Sequence, residues 1–258
     1  MCQGSDFTQL LQRLGTANDG ICYIAPFLPG HGETVTSLCQ PPTVHGFVEL
    51  ILDFLRDLGM EEVILLGHSM SSRIVLQTWS QAQAAQHTGA EASPLIKGII
   101  LLDGSHAKLR SSNRFEKMDR KGATGLQDIF AEMVGPKTPE SFKEEMHAHT
   151  RSRDKAYCTA LRNSYNTWDH ELCDDVVTEV GRTGIPVLQI QSTDVDLMNR
   201  RNRLKHDDVT VYMTFVKERV PEVRQIVIEE AGHFPHVDQV GAVAQGVRTF
   251  IEEVFGVP

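Results

Sequence analysis

The chain has 258 residues, 41% hydrophobic and 23% charged, an ordinary balance for one globular domain with room for an insertion. Its formal net charge of −9 argues against nucleic acid or an anionic membrane surface as partner, because both are held by clustered Lys and Arg; a small-molecule substrate, neutral or cationic, stays open. No apolar run approaches the about 20 residues of a membrane span, and MCQGSDFTQL lacks the basic and apolar regions of a signal peptide, so a soluble cytoplasmic protein is expected.

Short apolar runs alternate with stretches of helical period, the pattern of an α/β fold with a mostly parallel sheet and helices on both faces. A first helix starts near Asp6, and the first predicted strand covers 21–28. A helix follows with Phe47, Leu50, Ile51, Phe54, Leu55 and Leu58 on one face, Thr43 as N-cap and Gly59 just past its end. The second strand, 63–67, runs into an amphipathic helix that begins near Met70, and the third covers 98–103.

The segment 104–184 is polar and charged, with several helical patterns and no convincing strand. It far exceeds the about 2–6 residues usual for such a connection, so a helical lid insertion over the sheet's C-terminal edge is expected, between core segments 1–103 and 185–258. Phe130, Met133 and Trp168 are its candidates for lining an apolar pocket, or for packing inside the lid itself. Strands over 187–192 and 225–230 and a helix over 240–254, presenting Val243, Val247, Phe250 and Ile251, complete the pattern.

Five cysteines, Cys2, Cys22, Cys39, Cys158 and Cys173, are odd in number and scattered, with no C-x-x-C pair and no His at ligand spacing. Reduced thiols acting as small hydrophobes are expected, with no disulfide framework and no metal site. Ser69 lies in VILLGHSMSSRIVLQTW, at the junction of a buried strand and an amphipathic helix, the context of a nucleophile elbow. That tight turn lifts a hydroxyl off the sheet, and small neighbours at Gly67 and Ser71 let strand and helix approach. It also aims the Met70 backbone N–H at a developing oxyanion, with the helix dipole behind it.

These residues, with Ala25-Pro26-Phe27-Leu28-Pro29-Gly30-His31-Gly32, Ile185-Pro186-Val187-Leu188-Gln189-Ile190-Gln191 and Ala231-Gly232-His233-Phe234-Pro235, resemble the α/β-hydrolase family of the kind with a helical lid. The resemblance runs from about Ser5 to the end of the chain. It departs at Phe27, where the family often has Asp, and at Ser71, which stands for the second glycine of the elbow. It implies Ser69 as nucleophile and His233, on a loop at the same sheet edge, as its base, in the family's order of nucleophile before histidine. His31 near the pocket mouth is expected to meet substrate; His68 and His236 are expected to be structural or to line the pocket, His68 in the latter case as a substrate-binding residue.

The acid is open between three residues. The family's usual position falls on Val195, flanked by Asp194 and Asp196, whereas some members take the acid from the end of the preceding strand, here Asp103. A buried carboxylate at a strand end needs a partner, which places Asp103 first, Asp194 second and Asp196 third. The family also opens with strands that find almost no room before Asp6. One of them should lie between 21–28 and 63–67, and its following loop usually supplies a second oxyanion N–H, for which only residues 1–5 could stand in. One lost donor costs about 10²–10³ in kcat. The sequence is then a piece of a longer protein, or the sheet is completed differently, or the scaffold no longer catalyses.

The function implied is a serine hydrolase acting on an ester, thioester or lactone of a small apolar molecule through an acyl-enzyme, with no cofactor. C–C bond hydrolysis and acyl transfer use the same apparatus. The rival is a non-catalytic binding protein on the same scaffold, holding a ligand beneath the lid or pairing as a homodimer across an open sheet edge.

Overall fold

The computed structural model describes residues 3–15, 20–32, 34–88, 94–106, 130–151, 154–195 and 200–257. In chain order its strands are β1 (Glu62–His68), β2 (Leu95–Leu102), β3 (Val187–Gln191), β4 (Thr193–Val195), β5 (Arg201–Arg203) and β6 (Arg224–Val227). Strands β1, β2, β3 and β6 form one sheet in that order, every pair parallel, while β4 and β5 make a separate antiparallel hairpin. The helices are α1 (Thr8–Leu14), α2 (Val44–Asp57), α3 (Ser71–Thr88), α4 (Glu140–Arg151), α5 (Lys155–Glu171), α6 (Cys173–Thr183), α7 (Val211–Arg219), the short α8 (Pro235–Asp238) and α9 (Val240–Phe255). Among the described residues no helix is long and apolar enough to cross a membrane.

The period of two along β2 divides the core into two layers. Ile99 and Leu101 join Phe47, Ile74, Trp79 and Val177 on the face covered by α2, α3 and α6, while Ile100 and Leu102 join Leu10, Leu188, Val247 and Phe250 on the face covered by α1 and α9. Local signals behave as their chemistry dictates. The Thr43 side chain accepts from the Gly46 N–H at 2.9 Å and caps α2, and Gly59 takes φ +64 just past its end.

The expected strand over 21–28 is corrected. These residues are extended and alternate in exposure at their start, with Ile21 and Tyr23 packed on the α1 and α9 layer, but they join neither sheet. Among the described strands the sheet ends at β1, which pairs with β2, and 21–28 is not part of its ladder.

Within 104–184, helix α6 packs on α3, with Cys173, Val176, Val177 and Val180 in the same core as Trp79. Helix α5 adds Tyr157, Leu161 and Trp168 to that core, and Trp168 Nε1 donates to Gln77 Oε1 at 2.7 Å. Trp168 is therefore a packing residue. Arg73 of α3 meets Asp169 of α5 in a buried two-pronged ion pair, Nε to Oδ1 at 2.8 Å and Nη2 to Oδ2 at 2.5 Å. Losing one partner of such a pair costs about 3–5 kcal/mol because the other charge stays buried. A smaller apolar cluster of Phe130, Phe142, Met146 and Phe234 joins the 130–151 stretch to the residue after His233.

Candidate active site

Parallel strands deliver their C-terminal ends to one edge of a sheet, and the loops leaving β1, β2, β3 and β6 converge there. Ser69 follows β1 with φ +57, a left-handed conformation that costs a non-glycine residue about 1–3 kcal/mol. Its N–H donates to the Leu102 carbonyl at 2.8 Å, which fixes the turn across the sheet. Gly67 has to be glycine at this crossing, since a Cβ there would lie 2.5 Å from the Ser71 carbonyl oxygen. Helix α3 then starts at Ser71 with the Met70 amide at its head.

Asp103 follows β2, also left-handed at φ +43, with its N–H donating to Ile190 O at 2.7 Å and its side chain fully buried. Its Oδ1 accepts from Ser192 N at 2.8 Å, Ser192 Oγ at 3.0 Å and Thr193 N at 2.8 Å. Its Oδ2 accepts from Thr193 Oγ1 at 2.6 Å and lies 2.6 Å from His233 Nδ1. His233 Nε2 is in turn 2.8 Å from Ser69 Oγ. A carboxylate, an imidazole and a hydroxyl are thus hydrogen-bonded in series, the order in which a proton can leave the serine and the resulting imidazolium be stabilised. The structure brings together Ser69, His233 and Asp103.

The His233 loop is clamped from outside the sheet. Its N–H donates to Met133 O at 2.6 Å, and a Cβ on Gly232 would sit 2.3 Å from that same oxygen, so only glycine lets the two chains touch. On the other side His68 Nε2 lies 2.7 Å from the His233 carbonyl. His68 therefore braces the backbone of His233, with its ring tilted against those of His233 and Phe234 and edge-on to that of His236. His236 is fully buried and its ring stacks on Phe7 with centroids 4.3 Å apart. His31 is buried, with Nδ1 on its own loop at Pro29 O, 3.0 Å away. Asp194 sits in β4 opposite Asn202, and the carboxylate on His233 Nδ1 is that of Asp103. Asp196 lies outside the described residues.

Burial pushes the His233 imidazolium down to about 3, with the Arg201 cation adding to the effect and Asp103 opposing it. The imidazole is neutral near pH 7, as a proton acceptor must be. Burial would raise the Asp103 carboxyl, but the His233 bond, the Arg201 charge and Thr193 outweigh it and hold the group well below the usual carboxylate range.

Sequence reasoning did not find Ser192, Thr193 or Arg201. Ser192 and Thr193 offer only the weak signal of two hydroxyl residues closing a strand. Arg201 belongs to a basic run, Arg200, Arg201 and Arg203, that reads as a solvated face, yet its own side chain is only 6% exposed. Elsewhere His106, Asp169 and Cys173 bring possible ligand atoms within 4.8 Å of one another in the core. Both oxygens of Asp169 are held by Arg73, so a guanidinium already supplies the cation this carboxylate needs.

Three buried imidazoles, His68, His233 and His236, are kept neutral by burial. In the unfolded chain they take protons near pH 6.5, while the native chain resists until far lower, so below that pH the unfolded state binds more protons and stability falls with falling pH. Each imidazole contributes up to about 1.4 kcal/mol per pH unit across its window. Urea titrations should show the unfolding free energy dropping by a few kcal/mol between about pH 6.5 and 5, and a flat profile there would contradict the buried-imidazole cluster.

The family model described as "Alpha/beta hydrolase family" matches residues 3–245. No curated protein sequence matches the chain. Among solved structures, a hydrolase from Oleispira antarctica is 14% identical with a TM-score of 0.71, covering 97% of this chain and 87% of its own. A bromoperoxidase from Bacillus anthracis is 13% identical with a TM-score of 0.73, over 97% of this chain and 88% of its own. An esterase from Exiguobacterium antarcticum is 15% identical with a TM-score of 0.68, again over 97% and 88%. Likeness at such identities speaks for the fold, and the family match rests on the sequence itself; the chain belongs to the alpha/beta hydrolase family.

Proposed function

We propose that this chain is a serine hydrolase that cleaves a carboxylic ester, thioester or lactone of a small apolar molecule through an acyl-enzyme on Ser69. The observation that carries the reading is the series of bonds from Asp103 through His233 to Ser69, with the serine in a left-handed turn at the head of α3. His233 Nε2 takes the Ser69 proton as Oγ attacks the carbonyl carbon, then returns it to the leaving alcohol, thiol or ring oxygen. Water, deprotonated by the same nitrogen, releases the acid and restores Ser69. Asp103 stabilises the imidazolium formed in each half. The Met70 N–H stabilises the oxyanion, and the Gln3–Phe7 stretch is the candidate for a second donor, since Phe7 stacks on His236 beside His68.

An apolar substrate is favoured by a cavity of about 220 Å³ lined by Phe130, Ala131, Val134, Lys143, Met146, His147 and Phe234, next in sequence to His233. In this reading 130–151, with its Met133 carbonyl on the His233 N–H, is the part of the expected lid that shapes the pocket. The cavity is then the place for a short acyl or alkyl group.

A fluorophosphonate probe should label the folded chain at one site, and Ser69→Ala should abolish the label while melting like the parent. A folded chain that resists the probe would leave a ligand-binding scaffold instead. Filling the cavity with Ala131→Phe should lower kcat/KM for a butanoate ester about tenfold relative to the acetate ester, because a pocket discriminates one or two methylenes by roughly that factor. Equal losses on both esters would place the acyl group elsewhere.

A further inference from the structure

A cation sits inside the hydrogen-bond series. Arg201 of β5 places Nη1 3.0 Å from His233 Nδ1 and 3.3 Å from Asp103 Oδ2, and donates to Thr193 Oγ1, which itself donates to that Oδ2. The guanidinium is nearly as buried as the groups it touches, 6% exposed beside 5% for the His233 side chain and 0% for that of Asp103. Water therefore screens it little. The carboxylate has other donors beside it: Ser192 N and Thr193 N on Oδ1 and Thr193 Oγ1 on Oδ2.

Two donors compete for one region. When His233 carries its proton on Nδ1, that proton goes to Asp103 and Nε2 is free to act as base. When Nδ1 is bare, Arg201 can donate to it, and Nε2 then carries the proton and faces Ser69 as a donor. The cation also opposes positive charge on the ring, which the reaction must create. Building on the hydrolase reading above, we propose that Arg201 is a positioning residue acting through His233, one that shares Asp103 with the imidazole, favours its non-productive tautomer and restrains its basicity. The benefit is a base that stays neutral in acid.

Other titratable groups also face His233, and the N-terminal amine lowers its proton affinity as Arg201 does, though by less. From the end of β1 it faces Ser69 and His68, and from the end of β2 Asp103. From α8 come His236, edge-on to His68, and Asp238, whose carboxylate accepts the Gly232 N–H at 2.6 Å. From 130–133 comes Glu132, which accepts the Arg201 backbone N–H at 3.3 Å. Among the described residues Arg201 is the cation within hydrogen-bond reach of the ring, and the lowered proton affinity of His233 includes its charge among the causes.

The test is the His233 titration by ¹H–¹⁵N NMR, paired with the pH profile of fluorophosphonate labelling, in the full chain and in Arg201→Met, Arg201→Gln and Arg201→Lys. Loss of the charge should move both the imidazole midpoint and the acid limb of labelling up by about one pH unit or more, whereas the lysine variant should stay near the parent. Met and Gln variants are both included so that a fold defect in one leaves the other. An unmoved midpoint in a folded neutral variant, or an equal shift in Arg201→Lys, overturns the proposal. Because NMR reads the ring without any reaction, a shifted midpoint in a chain that never labels would sink the hydrolase reading and leave the role of Arg201 over the ring standing.

Discussion

A fully buried carboxylate sets the terms for this site. An ionised Asp103 without partners would cost far more than a domain can lose, so its burial demands donors for every lone pair. The donors come from two other strand ends: Ser192 and Thr193 beyond β3 and His233 beyond β6, with Arg201 reaching in from β5. Meeting the electrostatic need of one side chain therefore draws three loops to one point. The same bonds that keep Asp103 ionised orient the imidazole toward Ser69.

Backbone strain collects at this edge as well. The non-glycine residues with positive φ among those described are Ser69, Asp103 and Glu230, each just past the end of β1, β2 or β6. Each costs about 1–3 kcal/mol, and each persists because the neighbouring chain over-determines it. Ser69 N and Asp103 N continue the ladder onto Leu102 O and Ile190 O, and Ile228 N bonds Gln191 O just before the Glu230 turn. Regular sheet on one side and strained turns on the other are how a strand lifts a reactive side chain out of its plane.

Much of this was legible in the residues, for physical reasons that differ from element to element. Apolar runs mark β1 and β2, because parallel strands are buried on both faces, while β3 and β6 interleave Val, Leu and Ile with Gln. Ser69 and His233 stand out because a small-residue elbow and a Gly-His turn follow such runs directly. Asp103 is harder, since an Asp after a strand is more often a turn-former, and only the burial argument ranks it above Asp194. Pattern at 21–28 reads as a strand, yet these residues are in neither described sheet, and joining a ladder is a property of the sheet. Arg201 is invisible in sequence: a basic run looks solvated until the hairpin of β4 and β5 folds one member inward. His68 is adjacent to Ser69 in sequence, but its ring turns to the His233 carbonyl.

If Asp103, His233 and Ser69 act as one relay, their removal must not be additive. The direct measurement is a double-mutant cycle on ester hydrolysis with Ser69→Ala, Asp103→Asn and both together. A relay makes the double variant no slower than Ser69→Ala alone, because the acid has nothing left to serve. If the two losses instead multiply, Asp103 works independently of Ser69, and the series of bonds at the sheet edge is structural.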